Sequence, residues 1–243
     1  AGLKKNCHLF IEKPITKNIK EAEILINQAK LNQKIIQIGH IERFNPIFKF
    51  LSSQNPKPLF IESNRLSPFS LRGLDVNVVL DLMIHDIDLI LCLTTSSIKT
   101  IYANGIKVLS NTIDLASARI EFEDGLIANL VASRISEKKI RKMRVFEQNK
   151  YTSIDFNSYS ADIYQSTGQQ KNQNSSIVFH NKGKAITRHQ HVAKPNNALY
   201  EELVAFINSI RSKSAADVKV SANEAKLALM DALKIEKIIN DSK

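Results

Sequence analysis

Three polar residues lie at helical spacing in an otherwise apolar segment, VVLDLMIHDIDLILCL, which covers residues 78–93. Asp81, His85 and Asp88 stand at positions i, i+4 and i+7, so a helix would place them on one polar stripe. Burying carboxylates and an imidazole without partners costs several kcal/mol, so the stripe needs a structural or chemical reason. An Asp one turn before a His holds the imidazole in one tautomer and raises its basicity, as a general base requires.

Other interpretations of this stripe stay open. An Asp–His pair at this spacing can also be an internal polar clasp, and the stripe alone does not favour catalysis over that structural role. Metal binding is the weaker option, because the face holds one His and two carboxylates, and Cys7 and Cys92 have no CxxC spacing. Asp86 falls off the stripe, and we expect it to be solvated or to cap a helix.

The composition favours a globular protein of the cytoplasm. With 243 residues, 43% of them hydrophobic, the chain can bury one large or two modest cores. It has two cysteines without paired spacing and no N-terminal apolar run. These features predict a reducing compartment, no export signal and no membrane span.

The net charge of +10 is spread along the chain, with one concentration between Arg134 and Arg144. Ile135, Ile140 and Met143 interrupt the charges there, which is typical of a strand with one solvated face. A nucleic-acid interface is the weaker interpretation, because neither aromatic interleaving nor a helix-turn-helix pattern accompanies the basic residues. A basic surface would equally attract an anionic substrate such as a nucleotide sugar.

The segments that must position these residues begin with a parallel α/β pattern. Residues 8–12 and 34–40 are apolar strand candidates, and between them lies a segment of helical periodicity that Asn18 can cap. This order predicts a strand–helix–strand unit. A short helix starting near Pro46 and a strand over 59–67 then lead to the polar stripe.

After residue 97 the periodicity changes to that of strands. Apolar and polar residues alternate, and an Asn-Gly pair at 104–105 and an Asp-Gly pair at 124–125 signal hairpins between antiparallel strands. Residues 165–197 are polar and irregular, which fits a loop or a hairpin projecting from the sheet. Two helices close the chain, the second with Ser221 and Glu224 as a capping box.

Three motifs and the closing helices together resemble one oxidoreductase family, Gfo/Idh/MocA. The likeness covers essentially the whole chain, and the motifs occur in the family's order. They are EKP at Glu12-Lys13-Pro14, IGHIERFNP with Arg43, and D-x-x-x-H at Asp81 and His85. Each motif alone is weak, whereas the three in sequence are specific.

The resemblance implies an α/β (α+β) fold with two parts. Residues 1–40 would be the C-terminal remnant of a Rossmann dinucleotide-binding domain. Residues 41–243 would form a substrate and oligomerisation domain with a large, mostly antiparallel sheet flanked by helices, the final helices over 198–243 packing back. Family members have roughly another hundred residues before this point, including a glycine-rich loop. The chain has only seven glycines and no G-x-G-x-x-G, so we expect it to lack most of the Rossmann domain.

The resemblance also implies catalytic roles for three residues. Lys13 would contact the reacting hydroxyl or orient the substrate, although without the family context it would be taken for an exposed turn lysine. His85 would be the general base that removes the hydroxyl proton as hydride leaves the carbon. Asp81 would orient His85 and stabilise its positive charge.

Binding roles follow in the same way from the resemblance. The cofactor would be NAD or NADP, bound by Glu12, Lys13, Pro14 and Arg43, with a cis peptide bond before Pro14. The substrate would be bound by His40, Arg65 and His85. The alternatives are a surface salt bridge for Arg43, and pocket-edge packing or solvent exposure for His40 and Arg65. No metal ligand is expected.

The activity implied is NAD(P)-dependent oxidation of a hydroxyl on a sugar or nucleotide sugar, by this chain or by a protein of which it is the larger part. GHIERFNP and DVNVVLDLMIHDIDL look most like members that act on UDP-N-acetylglucosamine at C3, in the route to 2,3-diamino-sugar lipid A. The alternative is a non-catalytic remnant that oligomerises or binds sugar without redox activity. A homo-oligomer, dimer or tetramer, is expected through the sheet, with no nucleic-acid or membrane partner.

Overall fold

The computed structural model describes residues 2–71, 75–167, 176–181 and 184–242, whose strands form one sheet of two strands and one of nine. The strands are β1 Leu9–Glu12, β2 Ile36–Gly39, β3 Phe60–Leu66, β4 Ile98–Ile106, β5 Leu115–Phe122, β6 Ile127–Ser133, β7 Ile140–Glu147, β8 Lys150–Asp155, β9 Ser160–Thr167, β10 Ser176–Asn181 and β11 Lys184–Val192. The α-helices are α1 Ile19–Leu31, α2 Pro46–Ser53, α3 Ile84–Leu93, α4 Ala198–Ser212 and α5 Ala222–Asp241.

The small sheet confirms the predicted strand–helix–strand unit. β1 and β2 run parallel, with Leu9 opposite Ile36 and Glu12 opposite Gly39, and α1 connects them. The side chain of Asn18 caps α1 as expected, because its Oδ1 accepts a hydrogen bond from the backbone N–H of Glu21 at 3.0 Å.

The large sheet has the strand order β10-β11-β9-β8-β7-β3-β6-β5-β4, in which β3 and β6 are parallel and the other neighbours antiparallel. This confirms the predicted fold class. Within the irregular stretch 165–197, β10 and β11 form a hairpin that extends the sheet. The part of that stretch at 168–175 lies outside the described residues.

One predicted hairpin turn is wrong. The Asp-Gly pair at 124–125 does form the turn between β5 and β6, with Gly125 at φ +89°. The Asn-Gly pair at 104–105 instead lies inside β4, where Gly105 is opposite Ala116. A Cβ atom on Gly105 would come within 2.9 Å of Ile113 and of Ile239 on α5, so this glycine serves close packing against a helix.

The helices pack on the sheet through two clusters of buried side chains, and α5 contributes to both. Ala225 and Leu229 join the cluster around the small sheet, and Ile235 and Ile239 join the larger one under the nine-stranded sheet. The predicted capping box at the start of α5 is present. Among the described residues, no helix is both long enough and apolar enough to cross a bilayer.

The predicted helix over 78–93 forms with an altered start. Val79–Met83 is a π-helical segment, and the regular α-helix begins only at Ile84. Such wider turns are rare and are frequent at functional sites. The polar side chains of the segment do not share one set of partners, because Asp81 binds Lys13 whereas Asp88 binds Arg43.

Candidate active site

A lysine–aspartate pair joins the small sheet to the π-helical segment. Lys13 follows β1, and its Nζ donates hydrogen bonds to the backbone oxygen of Asp81 at 2.5 Å and to its Oδ1 at 3.3 Å. The Lys13 side chain is 18% exposed and that of Asp81 is 43% exposed. Two of the three predicted catalytic residues therefore meet, although 68 positions separate them in the chain.

His85 lies near this pair, since the charge of Lys13 is among the causes that lower the pKa of its imidazole. The residue is half-buried, and its Nδ1 is buried with no hydrogen-bond partner among the described residues. Burial holds the pKa of His85 well below its usual range, and the positive charges of Arg65, Lys13 and Arg141 lower the pKa further. The imidazole is therefore neutral at pH 7 and can accept a proton. The expected hydrogen bond from His85 Nδ1 to Asp81 is not made, because the Asp81 carboxylate binds Lys13.

Asp88 belongs to a second cluster, behind His85. His40 packs edge-on against His85 with 6.5 Å between ring centroids, and its Nδ1 is 3.5 Å from Asp88 Oδ2. The guanidinium of Arg43 binds both oxygens of Asp88, through Nε at 2.8 Å and Nη2 at 2.6 Å. Its Nη1 donates to Glu224 on α5 at 2.8 Å. Arg43 thereby clamps α3 to the N-terminal turn of α5.

A third cluster is an ion network around the buried guanidinium of Arg65. Arg65 on β3 donates from Nε and Nη2 to the two oxygens of Asp86, each at 2.9 Å, and from Nη1 to Glu42 at 2.8 Å. Arg141 on β7 donates to the same Glu42 oxygen at 3.0 Å. Burial alone would lower the pKa of Arg65, but Asp86 and Glu42 raise it above its usual value. The network fixes the sheet to the start of α3.

These contacts correct several expectations. Asp86 is 2% exposed and paired with Arg65, so it is neither solvated nor a cap. Arg65 and His40 are 2% and 1% exposed, so solvent exposure, one of the alternatives given for both residues, is excluded. Arg43 donates four hydrogen bonds, to Asp88, Glu224 and a backbone carbonyl, so its guanidinium links α3 to α5.

Glu12 and Pro14 lie at the carboxyl end of β1, which is where open α/β sheets bind nucleotides. The Lys13–Pro14 bond is cis, as expected. The Glu12 carboxylate lies over Gly39, where a Cβ atom would come within 2.8 Å of Glu12 Oε2. Together with Lys13, these residues fit the reactive end of a dinucleotide. The sequence contains no glycine-rich loop for its pyrophosphate.

Sequence reasoning missed Glu42 and Arg141, although a signal for Arg141 was present. In β7 the buried face holds Met143 and Val145, and Arg141 falls on that face two residues earlier. A charged residue on a buried face must have a partner, and here Glu42 provides it. Glu42 had no comparable signal, because its 3-10 turn at Ile41–Phe44 has no clear periodicity.

Comparison with known proteins places this geometry in a family. The model of the GFO/IDH/MocA C-terminal domain matches residues 48–149. The crystal structure of UDP-N-acetylglucosamine 3-dehydrogenase from Acidithiobacillus ferrooxidans superposes with a TM-score of 0.86 and 31% identity, over 98% of this chain and 72% of that one. The chain belongs to the Gfo/Idh/MocA family. The resemblance seen in the sequence motifs is thus confirmed.

Other members of the Gfo/Idh/MocA family extend the comparison. The curated UDP-N-acetylglucosamine 3-dehydrogenase of A. ferrooxidans is 38% identical over 165 residues, which are 68% of this chain and 53% of that protein. The chain thus spans about half the length of this relative. Scyllo-inositol dehydrogenase from Lactobacillus casei, solved with NAD(H) and scyllo-inositol, shares the fold at a TM-score of 0.70 and 20% identity. These relatives are named dehydrogenases of a nucleotide sugar and of a cyclic polyol.

Proposed function

We propose that this chain provides the substrate site of an NAD(P)-dependent dehydrogenase that oxidises a hydroxyl of a sugar or nucleotide sugar. The observation that carries the proposal is the half-buried, neutral His85 beside the Lys13–Asp81 pair. The similarity to UDP-N-acetylglucosamine 3-dehydrogenase makes UDP-N-acetylglucosamine, oxidised at C3, the first substrate to test.

In the proposed reaction His85, Lys13 and Asp81 have different roles. His85 accepts the proton of the substrate hydroxyl while a C–H bond of the same carbon breaks and a ketone forms. The ammonium group of Lys13, held by Asp81, donates a hydrogen bond to the reacting oxygen and stabilises its developing negative charge. NAD(P)⁺, when bound, accepts the hydride.

The cofactor belongs to the same proposal. We infer that Glu12, Lys13 and Pro14 face the nicotinamide end of NAD or NADP, because they lie at the carboxyl end of the first of two parallel strands and Lys13 binds Asp81. None of the described residues distinguishes NAD from NADP, so both are assayed.

Reduction of the cofactor tests the proposal, followed as absorbance at 340 nm. The chain is assayed alone and fused behind the N-terminal nucleotide-binding segment of the A. ferrooxidans relative, with UDP-N-acetylglucosamine and either cofactor. We expect the fusion to turn over and His85→Gln to lower kcat by about 10²- to 10⁴-fold. His191→Gln is the control, because His191 stacks on Phe50 at 3.8 Å between ring centroids, and neither residue belongs to the site. A fusion whose turnover is unchanged by His85→Gln would refute the assignment of the base.

A second candidate function is sugar binding without redox chemistry. It is favoured by the lack of any G-x-G-x-x-G in these 243 residues. The two candidates differ in cofactor binding by the unfused chain. Binding of NADH in the micromolar range, measured by calorimetry, would exclude the second candidate. Sugar binding without NADH binding or cofactor reduction, in the chain and in the fusion, would favour it.

We also propose a homo-oligomer formed through the open face of the large sheet. Phe60, Phe146, Tyr151 and Tyr164 form an aromatic ladder across neighbouring strands, with centroid distances of 4.7–5.8 Å. A sheet face of this kind is suited to burial against a second copy. Light scattering after size exclusion is expected to give a dimer or tetramer mass, which Tyr151→Lys should reduce. A monomer at micromolar concentration would contradict this interface.

A further inference from the structure

The basic segment between Arg134 and Arg144 has one member that faces the site. Arg141 lies opposite Arg65 in the β3–β7 register, on the sheet face that packs against the helices. Lys142 and Arg144 alternate to the other face, where they pair with Asp155 and Glu62. Arg141 is therefore separated from its basic neighbours by the strand itself.

The guanidinium of Arg141 is only partly used by the protein. Its one hydrogen bond within the described residues runs from Nη1 to Glu42, which also accepts from Arg65. The Arg141 side chain is 35% exposed, whereas that of Arg65 is 2% exposed and makes three hydrogen bonds. Nε and Nη2 of Arg141 remain as donors, and a planar fork of two N–H groups matches the oxygens of phosphate or carboxylate.

Arg141 is the second residue of β7 and shares Glu42 with Arg65. Arg65 in turn binds Asp86, the residue next to His85 in the chain. The positive charge of Arg141 is among those that lower the pKa of His85, so the two side chains are electrostatic neighbours. The turn after β8 passes here as well, because the N–H of Phe156 donates to the carbonyl of Arg141 at 2.9 Å. That turn ends in Tyr159 at φ +54°, a backbone conformation that costs a non-glycine residue free energy and is enriched at ligand sites.

We propose that Arg141 binds an anionic oxygen of the substrate, from a phosphate or a carboxylate group, while Lys13 and His85 act on the hydroxyl. This subsite rests on the proposed function, since it places the charged part of the same substrate. It gives a reason why an arginine at the site is left with free donors, because the substrate would accept the remaining hydrogen bonds. A nucleotide sugar would be selected over a neutral sugar by this contact.

Ligand affinity of the full chain tests the subsite, measured by calorimetry or ligand-observed NMR. The ligands are UDP-N-acetylglucosamine, UDP and glucuronate, which carry anions, and uridine and N-acetylglucosamine, which are neutral. We expect Arg141→Gln to weaken UDP-N-acetylglucosamine binding by at least about tenfold and Arg141→Lys to weaken it less, because the charge is kept. Arg144→Gln, the same change on the opposite face of the same strand, should alter the affinity by less than about twofold.

The ligand series also identifies the source of the anion. If Arg141→Gln weakens the binding of UDP but not that of glucuronate, the contact is with a phosphate. The reverse result assigns the contact to a carboxylate. Equal affinities of wild type and Arg141→Gln for every anionic ligand, including no binding by either, would overturn the subsite. Circular dichroism melts of each variant show whether a loss reflects misfolding, and Arg141→Lys decides the case if Arg141→Gln does not fold.

The proposed subsite and the proposed function can be refuted independently of each other. If UDP-N-acetylglucosamine binding depends on Arg141 but the fusion transfers no hydride, the subsite stands and the dehydrogenase proposal fails. If the fusion is active through His85 and Arg141→Gln leaves KM unchanged, the subsite fails alone.

Discussion

The buried pair of Arg65 and Asp86 allows a quantitative test of what fixes the site. Asp86→Asn keeps the size of the side chain but removes the negative charge that binds Arg65 through two hydrogen bonds of 2.9 Å. The arginine side chain is 2% exposed, so water cannot replace the lost partner. Its charge would then be balanced only by Glu42, which it shares with Arg141.

The expected loss follows from this burial. Removing one partner of a buried ion pair costs about 3–5 kcal/mol. The remaining bond to Glu42 at 2.8 Å and the amide oxygen of the new asparagine place the change at the lower end, about 3 kcal/mol. With a urea m-value of about 3 kcal/mol/M, the unfolding midpoint should fall by about 1 M.

Urea unfolding followed by far-ultraviolet circular dichroism measures this change, since the chain has no tryptophan for fluorescence. The matched control is Glu62→Gln, an acid-to-amide change on β3, the strand of Arg65; its partner Arg144 is 45% exposed. Surface pairs of this kind contribute about 0–1 kcal/mol. If the two variants have the same midpoint, Arg65 does not depend on Asp86 and the reasoning about the buried network is refuted.

Three further predictions concern titration and packing. The NMR shifts of His85 should show protonation only well below pH 6.5. Because the unfolded chain binds that proton more readily than the folded chain does, the free energy of unfolding should fall as pH falls below 6.5. A titration midpoint at or above 6.5 would contradict this. Burial raises the pKa of Glu202 to about 8 from 4.5, so its contribution to stability is lost as pH rises between these values. Glu202→Gln should therefore stabilise the fold more at pH 9 than at pH 5, and a pH-independent effect would contradict the burial of the acid. Ile235→Ala on α5 should cost about 2–5 kcal/mol because the side chain is fully buried. Leu227→Ala, on the same helix but 46% exposed, should cost less than about 1 kcal/mol in the same urea assay. Equal losses of unfolding free energy in the two variants would contradict the assignment of Ile235 to the buried face of α5.

The elements of secondary structure were largely predictable because their signals are local. Asn18 and the Ser221–Glu224 box cap their helices where the sequence placed them, and the alternating segments after residue 97 form the antiparallel strands. The π-helical start at Val79–Met83 was not predictable, because an inserted wider turn leaves the apolar pattern almost unchanged. Gly105 was assigned to a turn because its actual role, contact with α5, depends on a helix more than 100 residues later.

For the site, the sequence by itself identified the residues to which we assign the proposed chemistry. Lys13, Asp81 and His85 were named from their motifs, and the structure brings Lys13 and Asp81 into contact beside His85. Helical spacing alone left the Asp81–His85 pair open between a catalytic and a structural role, and the order of the three motifs along the chain identified all three residues.

Only the tertiary structure decided which of the remaining charged residues face the site and which support it. His40, Arg43, Arg65 and Asp86 were placed by the fold in buried pairs, while Arg141 was left partly exposed beside the base. The physical reason is that burial and ion pairing depend on strands and helices distant in sequence. No local pattern states whether a charge will meet its partner, water or a substrate.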